Sequence, residues 1–184
     1  DEESLTVTSG IAASEITTLN AADVTSLTIT GTEDITIGTL AGNVSLAVIN
    51  AEGSTGAVSV GDTANGSLVP MTITAGSGGL TVDGSGRDDT ITGGAGDEAV
   101  DAGDGNDIVT GGAGDDNLDG EAGNDSLVGG EGNDTITVGA GIDTVDAGAG
   151  TDTIVLSTNY TTLDSIDGGD GTDTVTITTA AGTL

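Results

Sequence analysis

From Ala75 to Val155 the chain repeats every nine residues without an insertion, and this period restricts the fold more than any other feature. The units read AGSGGLTVD, GSGRDDTIT, GGAGDEAVD, AGDGNDIVT, GGAGDDNLD, GEAGNDSLV, GGEGNDTIT, VGAGIDTVD and AGAGTDTIV, and a later one, GGDGTDTVT, occupies 168–176. The eighth column is aliphatic throughout: Val82, Ile91, Val100, Val109, Leu118, Leu127, Ile136, Val145, Ile154 and Val175. The sixth is Leu80 in the first unit and acidic in all later ones: Asp89, Glu98, Asp107, Asp116, Asp125, Asp134, Asp143, Asp152 and Asp173. A single aliphatic column cannot make a core within one unit, so each unit must bury its side chain against its neighbours.

Glycines in the second and fourth columns permit positive φ and let neighbouring turns approach closely. The last three residues of each unit then form a very short strand whose eighth residue points inward. Two units make one coil of about 18 residues, with two strands and two glycine-rich turns. The ladders between coils are parallel, and the expected winding is right-handed. The fold class expected is therefore all-β, a right-handed parallel β-solenoid.

Residues 75–155 are its regular part. Residues 1–74 lack the acidic unit but hold short alternating runs, among them SLTVTS, SLTITG, DITIG, VSLAVIN and PMTITAG, spaced roughly nine to sixteen residues apart. A continuous solenoid with variable loops is the first reading for them, and a separate β-sandwich the alternative. The segment AASEITTLNAAD, 12–23, reads as an edge loop or short cap. Residues 156–184 hold an interrupting segment, LSTNYTTLDSID, then the final unit and a C-terminal cap. Leu156, Tyr160, Leu163 and Ile166 fall near helical spacing and are expected to cover the open end of the stack.

The acidic column calls for a counter-charge that the chain lacks. The formal net charge is -30, from 31 acidic residues against the single cation Arg87, with no His and no Cys. Such a chain repels nucleic acid and anionic membrane, and no run is long enough to insert across a membrane as a helix. Neither disulfides nor thiolate metal sites are possible. With 18-residue coils, Asp89, Asp107, Asp125 and Asp143 recur on one side and Glu98, Asp116, Asp134 and Asp152 on the other. Coils stacked about 4.8 Å apart bring neighbouring carboxylates close enough to share an ion.

The remaining ligands would be carbonyl oxygens of the glycine-rich backbone. They are expected near Gly94, Gly96, Gly103, Gly105, Gly112, Gly114, Gly123, Gly130, Gly132, Gly139, Gly141, Gly148, Gly150, Gly169 and Gly171. An all-oxygen set of about six to eight flexible ligands selects calcium over magnesium, while zinc and copper prefer the absent His or Cys. Several calcium ions, with binding and folding as one event, are the expectation for this region. The central Asp107, Asp116, Asp125 and Asp134 should make the best sites. Several units depart from the pattern: Glu98 carries an extra methylene, Ala102, Val138 and Ala147 replace the first glycine, Glu121 the second, and Ile142 puts bulk in a turn. Asp101, Asp119 and Asp146 read as solvated surface, and Asp97 and Asp115, beside the acidic column, stay open. No charge-free Thr face is expected, because Thr92, Thr110 and Thr137 alternate with Asp101, Asp119 and Val128.

The units GGAGDDNLD and GGEGNDTIT resemble throughout the RTX, or repeats-in-toxin, calcium-binding repeat, G-G-x-G-x-D-x-aliphatic-x. The resemblance covers about residues 84–155 and 168–176. It implies a calcium-loaded parallel β-roll, export by a type I system, and folding in external calcium. The Thr/Ser/Ala/Val-rich first half is similar in style to solenoid parts of RTX-containing bacterial surface-layer proteins. That likeness implies a secreted, extracellular structural module at the bacterial cell surface, self-associating in an array. The alternative is a stabilising or secretion-associated tail or stalk of a type I-secreted adhesin, toxin or hydrolase. Catalysis is not expected. There is no His, Cys or Lys for proton transfer or nucleophilic attack, no HExxH motif, and the recurring carboxylates have a structural explanation. The first residues, DEESLTVTSG, lack the basic and apolar regions of a leader, and a start without Met is expected of a processed or excised chain.

Overall fold

The computed structural model describes residues 3–10, 14–16, 24–38, 46–60, 69–157 and 160–178. Their strands, in chain order, are β1 Glu3–Thr8, β2 Ser14–Ile16, β3 Val24–Gly31, β4 Ile35–Ile37, β5 Val48–Ser54, β6 Val58–Val60, β7 Thr72–Thr74, β8 Leu80–Asp83, β9 Thr90–Thr92 and β10 Ala99–Asp101. They continue as β11 Ile108–Ala113, β12 Asn117–Asp119, β13 Ser126–Glu131, β14 Thr135–Thr137, β15 Thr144–Gly150, β16 Thr153–Leu156, β17 Ser165–Asp167, β18 Asp170–Gly171 and β19 Thr174–Ile177. Odd-numbered strands through β17, with β18 beside β15, form one sheet, and even-numbered strands with β19 form the other. Each strand crosses to the opposite sheet, and the next returns one coil further along.

Pairing is parallel and unbroken from β5 through β7 to β9 and from β6 to β8. The described strands before Ala75 therefore lie in the same two sheets as those of the repeat. Turn length sets coil length: partners lie 22 residues apart at Leu5–Leu27, 18 at Val109–Leu127, and 21 at Val145–Ile166. The ladders of the repeat stack Ile91, Val109, Leu127 and Val145 on one sheet and Val82, Val100, Leu118, Ile136 and Ile154 on the other. All are buried in a single core.

Even-numbered strands of the first half turn two apolar residues inward, Ile35 with Ile37, Val58 with Val60, and Leu80 with Val82. From β10 to β14 they turn in only one, and β16 again turns in two, Ile154 and Leu156. Because Thr81 pairs with Ala99, Glu98 takes the wall position that Leu80, Val58 and Ile35 hold in earlier coils. Asp89 follows Met71 in the same way on the other side. This wall position thus changes from aliphatic to acidic while staying buried. The residue after the strand goes from Ala75 to Gly93, Gly111 and Gly129 before returning to Ala147, and a Cβ on Gly111 or Gly129 would strike Oδ2 of Asp116 or Asp134. Glycine here makes room for a carboxylate.

Three expectations are corrected. A nine-residue step changes sheets, so Thr92 and Thr110 stack with Val128 on one sheet while Asp101, Asp119 and Thr137 stack on the other. The two outward columns of the first sheet, from Ser4 and Thr6 to Ser126 and Val128, hold no charged residue. The stretch of this face from Ser4 to Val128 is therefore charge-free and hydroxyl-rich; Asp146 and Asp167 continue one of its columns beyond Val128, and Asp83, Asp101 and Asp119 lie on the opposite face. Residues 160–164 form a turn where helical spacing pointed to a cap: Leu156 is buried, Ile166 extends the aliphatic ladder, and Tyr160 and Leu163 are exposed. In the segment 12–23, Ser14–Ile16 is a strand paired with β4, and residues 12–13 and 17–23 lie outside the described residues.

Candidate metal centre

Each short strand begins just after its sixth-column residue, so the parallel register dictates where the carboxylates meet. Oδ1 of every such aspartate accepts a hydrogen bond from the backbone N–H of the residue one coil earlier. In the first column Asp89 N donates to Asp107 (2.7 Å), Asp107 N to Asp125 (2.9 Å) and Asp125 N to Asp143 (2.9 Å). In the second, Glu98 N donates to Asp116 (2.8 Å), Asp116 N to Asp134 (2.9 Å), Asp134 N to Asp152 (2.8 Å) and Asp152 N to Asp173 (3.1 Å). Eight of the predicted residues thus fall in the two columns expected from the 18-residue coil, and Asp173, which the interruption was expected to isolate, joins the second column through Asp152.

All eight from Asp89 to Asp152 are buried, while Asp173 is half-buried in the last coil. Oδ2 of Asp107, Asp116, Asp125, Asp134 and Asp152, and both carboxyl oxygens of Glu98, have no hydrogen-bond partner. Buried acceptors without donors are costly, and ionised ones more so. The physical response is visible in the acidities. Burial pushes the Asp107 carboxyl up to about 7, and those of Asp125 and Asp134 to about 6. Glu98 rises to about 8, through burial first and the Asp116 carboxylate second. Asp116 and Asp143 are raised as well, again chiefly by burial.

This donor set fits a hard cation. The bare oxygens are carboxylate oxygens in two parallel files, and the chain's one cationic side chain, Arg87, is exposed. No cluster of three or more His, Cys, Asp or Glu side chains converges on one point among the described residues. An ion held here would combine the carboxylates of adjacent coils with backbone oxygen. Some carbonyls near the predicted glycines already accept backbone N–H groups, as Gly94 does from Ala113 (2.9 Å) and Gly103 from Ala122 (3.2 Å), but each carbonyl keeps a second lone pair. Calcium bound there would supply the positive charge that lets stacked carboxylates remain ionised.

Sequence reasoning missed Asp164. Its Oδ1 accepts Asp143 N (3.1 Å), so it extends the first column across the longer coil. The signal was present in DSID, 164–167, which fits the sixth to ninth columns once the frame is shifted. It also left open Asp97 and Asp115, which belong to an outer ladder running in the opposite sense. Asp115 N donates to Asp97 Oδ1 (2.9 Å), Asn133 N to Asp115 Oδ1 (2.7 Å) and Thr151 N to Asn133 Oδ1 (3.0 Å). Asp88, Asn106 and Asn124 do the same on the other side, ending at Ile142, which donates but has no side-chain acceptor to pass on.

A family model for the RTX calcium-binding nonapeptide repeat matches residues 74–109, 92–127, 101–136, 128–158 and 164–176, together just over half of the chain. Comparisons with curated proteins and with solved structures gave no match. The period, the paired acidic columns and this match lead to one conclusion, that the chain belongs to the RTX calcium-binding nonapeptide repeat family.

Proposed function

We propose that this calcium-dependent structural solenoid serves as a stabilising tail or stalk of a protein exported by a type I system. The carrying observation is the row of buried carboxylate oxygens with no partner in a chain with one cationic side chain. At low calcium the stacked acids oppose the coils, which favours an open chain during export. Millimolar external calcium then sets the coils into a rod by binding the folded form alone. The residues assigned to the ions are Asp107, Asp116, Asp125, Asp134, Asp143 and Asp152, with weaker contributions from Glu98 and Asp173. Circular dichroism and small-angle scattering across a calcium titration test this reading. Gain of β-structure and conversion to an elongated monomer are expected, and equal β-content in chelator and in calcium would refute it.

A second reading, lateral assembly in a bacterial surface layer, is favoured by the charge-free stretch of the first sheet's outer face, from Ser4 to Val128. Any contact made through the opposite face would bring Asp83, Asp101 and Asp119 against a second acidic surface. The hydroxyl-rich face lets two copies meet without that repulsion. Sedimentation velocity in millimolar calcium separates the readings: concentration-dependent association abolished by Ile108→Asp supports assembly, and a persistent monomer supports the stalk.

A further inference from the structure

The two carboxylate columns end differently. At the start of the first, Asp89 has donors on both oxygens: Met71 N (2.7 Å) and Ser85 Oγ (3.0 Å) reach Oδ1, and Ser85 N (2.6 Å) reaches Oδ2. Ser85 is itself buried, and its Oγ accepts Arg87 N (3.2 Å). At the far end Thr161 repeats the arrangement on Asp164. Thr161 N donates to Oδ2 (2.8 Å) and Thr161 Oγ1 to Oδ1 (3.1 Å), while Leu163 N donates back to Thr161 Oγ1 (3.2 Å). Between these ends Asp107 and Asp125 each keep a bare Oδ2.

The second column opens on Glu98 with neither oxygen satisfied. The residue there that corresponds to Ser85 is Gly94, which has no hydroxyl to offer. Left-handed second-column residues begin at Gly103 and recur at Gly112, Glu121, Gly130, Gly139, Gly148 and Gly169; neither Ser85 nor Gly94 is among them, so the two column starts differ in side chain and not in backbone. A cation brought to Asp89 would face the Ser85 N–H, a donor that repels it, and would have to displace the two Ser85 hydrogen bonds, which come in addition to the inter-coil bond that every column aspartate accepts.

We propose that Ser85 and Thr161 are hydroxyl caps that close the two ends of one column to calcium. Ions in that column are confined to Asp107, Asp125 and Asp143, whereas the other column stays open at its Glu98 end. The inference rests on the reading that the aspartate columns hold calcium, so the test includes a control for that reading.

Calcium bound per chain at saturation is counted by equilibrium dialysis and by native mass spectrometry, with circular dichroism establishing that each variant is folded. Asp107→Asn is expected to lose about one ion, Asp89→Asn none, and Ser85→Gly to gain about one. Adding Asp89→Asn to Ser85→Gly should remove the gain. Thr161→Gly is an independent variant at the other end, with a gain expected at Asp164. Loss of an ion from Asp89→Asn alone, or no gain from either glycine variant, overturns the caps. An unchanged count in Asp107→Asn instead overturns the calcium columns themselves, and the caps with them.

Discussion

Glu121 holds φ at +57°, in the left-handed region, and is the one residue other than glycine to do so among the described residues. Its unit, GEAGNDSLV, requires that conformation because the turns before and after it, at Gly103 and Gly139, stack with the same sense. The exposed side chain adds a second cost, since its carboxyl is raised by Asp119 first, then by Asp101. Glu121→Gly should therefore stabilise the calcium-loaded protein by roughly 1 kcal/mol, read as a rise in Tm, and Glu121→Val should lower it. The buried carboxyls carry a second residue-scale prediction. Their folded values, from about 6 for Asp125 to about 8 for Glu98, exceed the ordinary ones. Below about pH 4 both states are protonated and folding bears no penalty; the penalty grows as pH rises and is complete above the folded values. In chelator, β-structure should accordingly be greatest near pH 4 to 5 and decline toward pH 8, and calcium should abolish the decline.

At the scale of one coil, two kinds of position hold the stack. Leu118 is fully buried between Val100 and Ile136, and Leu118→Ala should cost about 2–5 kcal/mol in chemical denaturation with calcium present. Gly123 is of the other kind. Its φ is +150° and a Cβ there would run into the Gly105 carbonyl of the preceding coil, so Gly123→Ala should open the turn stack and weaken calcium binding together. The nine-residue columns made most of this legible, because inward position, turn and carboxylate all recur at fixed separations along the chain. Asp164 escaped since three extra residues between Val145 and Ile166 moved it out of frame. The charge-free stretch of the first sheet's outer face escaped for a different reason: which side chains share a face depends on alternation between sheets, and a column read every nine residues mixes the two. Ser85 escaped because a polar residue in a glycine column gives no hint that it reaches back to Asp89.

Across the whole molecule the buried acids are unevenly distributed. Coils formed by β3 to β7 have no carboxylate where later coils do, with Ile35, Val58 and Met71 buried at that position, so their core does not require an ion. Hydrogen exchange in chelator should leave amides of Ile49 and Ile73 protected while those between Val109 and Ile154 exchange rapidly, and calcium should restore protection to the latter. Equal exchange throughout would show that the solenoid melts as one unit. No helix among the described residues is long and apolar enough to cross a membrane.

The longer coil near Tyr160 has a practical corollary. Its extra residues leave the chain at a turn, with Tyr160 and Leu163 exposed, yet Asp143 still meets Asp164 and Val145 still meets Ile166. Foreign sequence grafted between Tyr160 and Thr161 would be displayed on the side of the rod, and its reach along the axis would be fixed by how many coils separate it from any other graft.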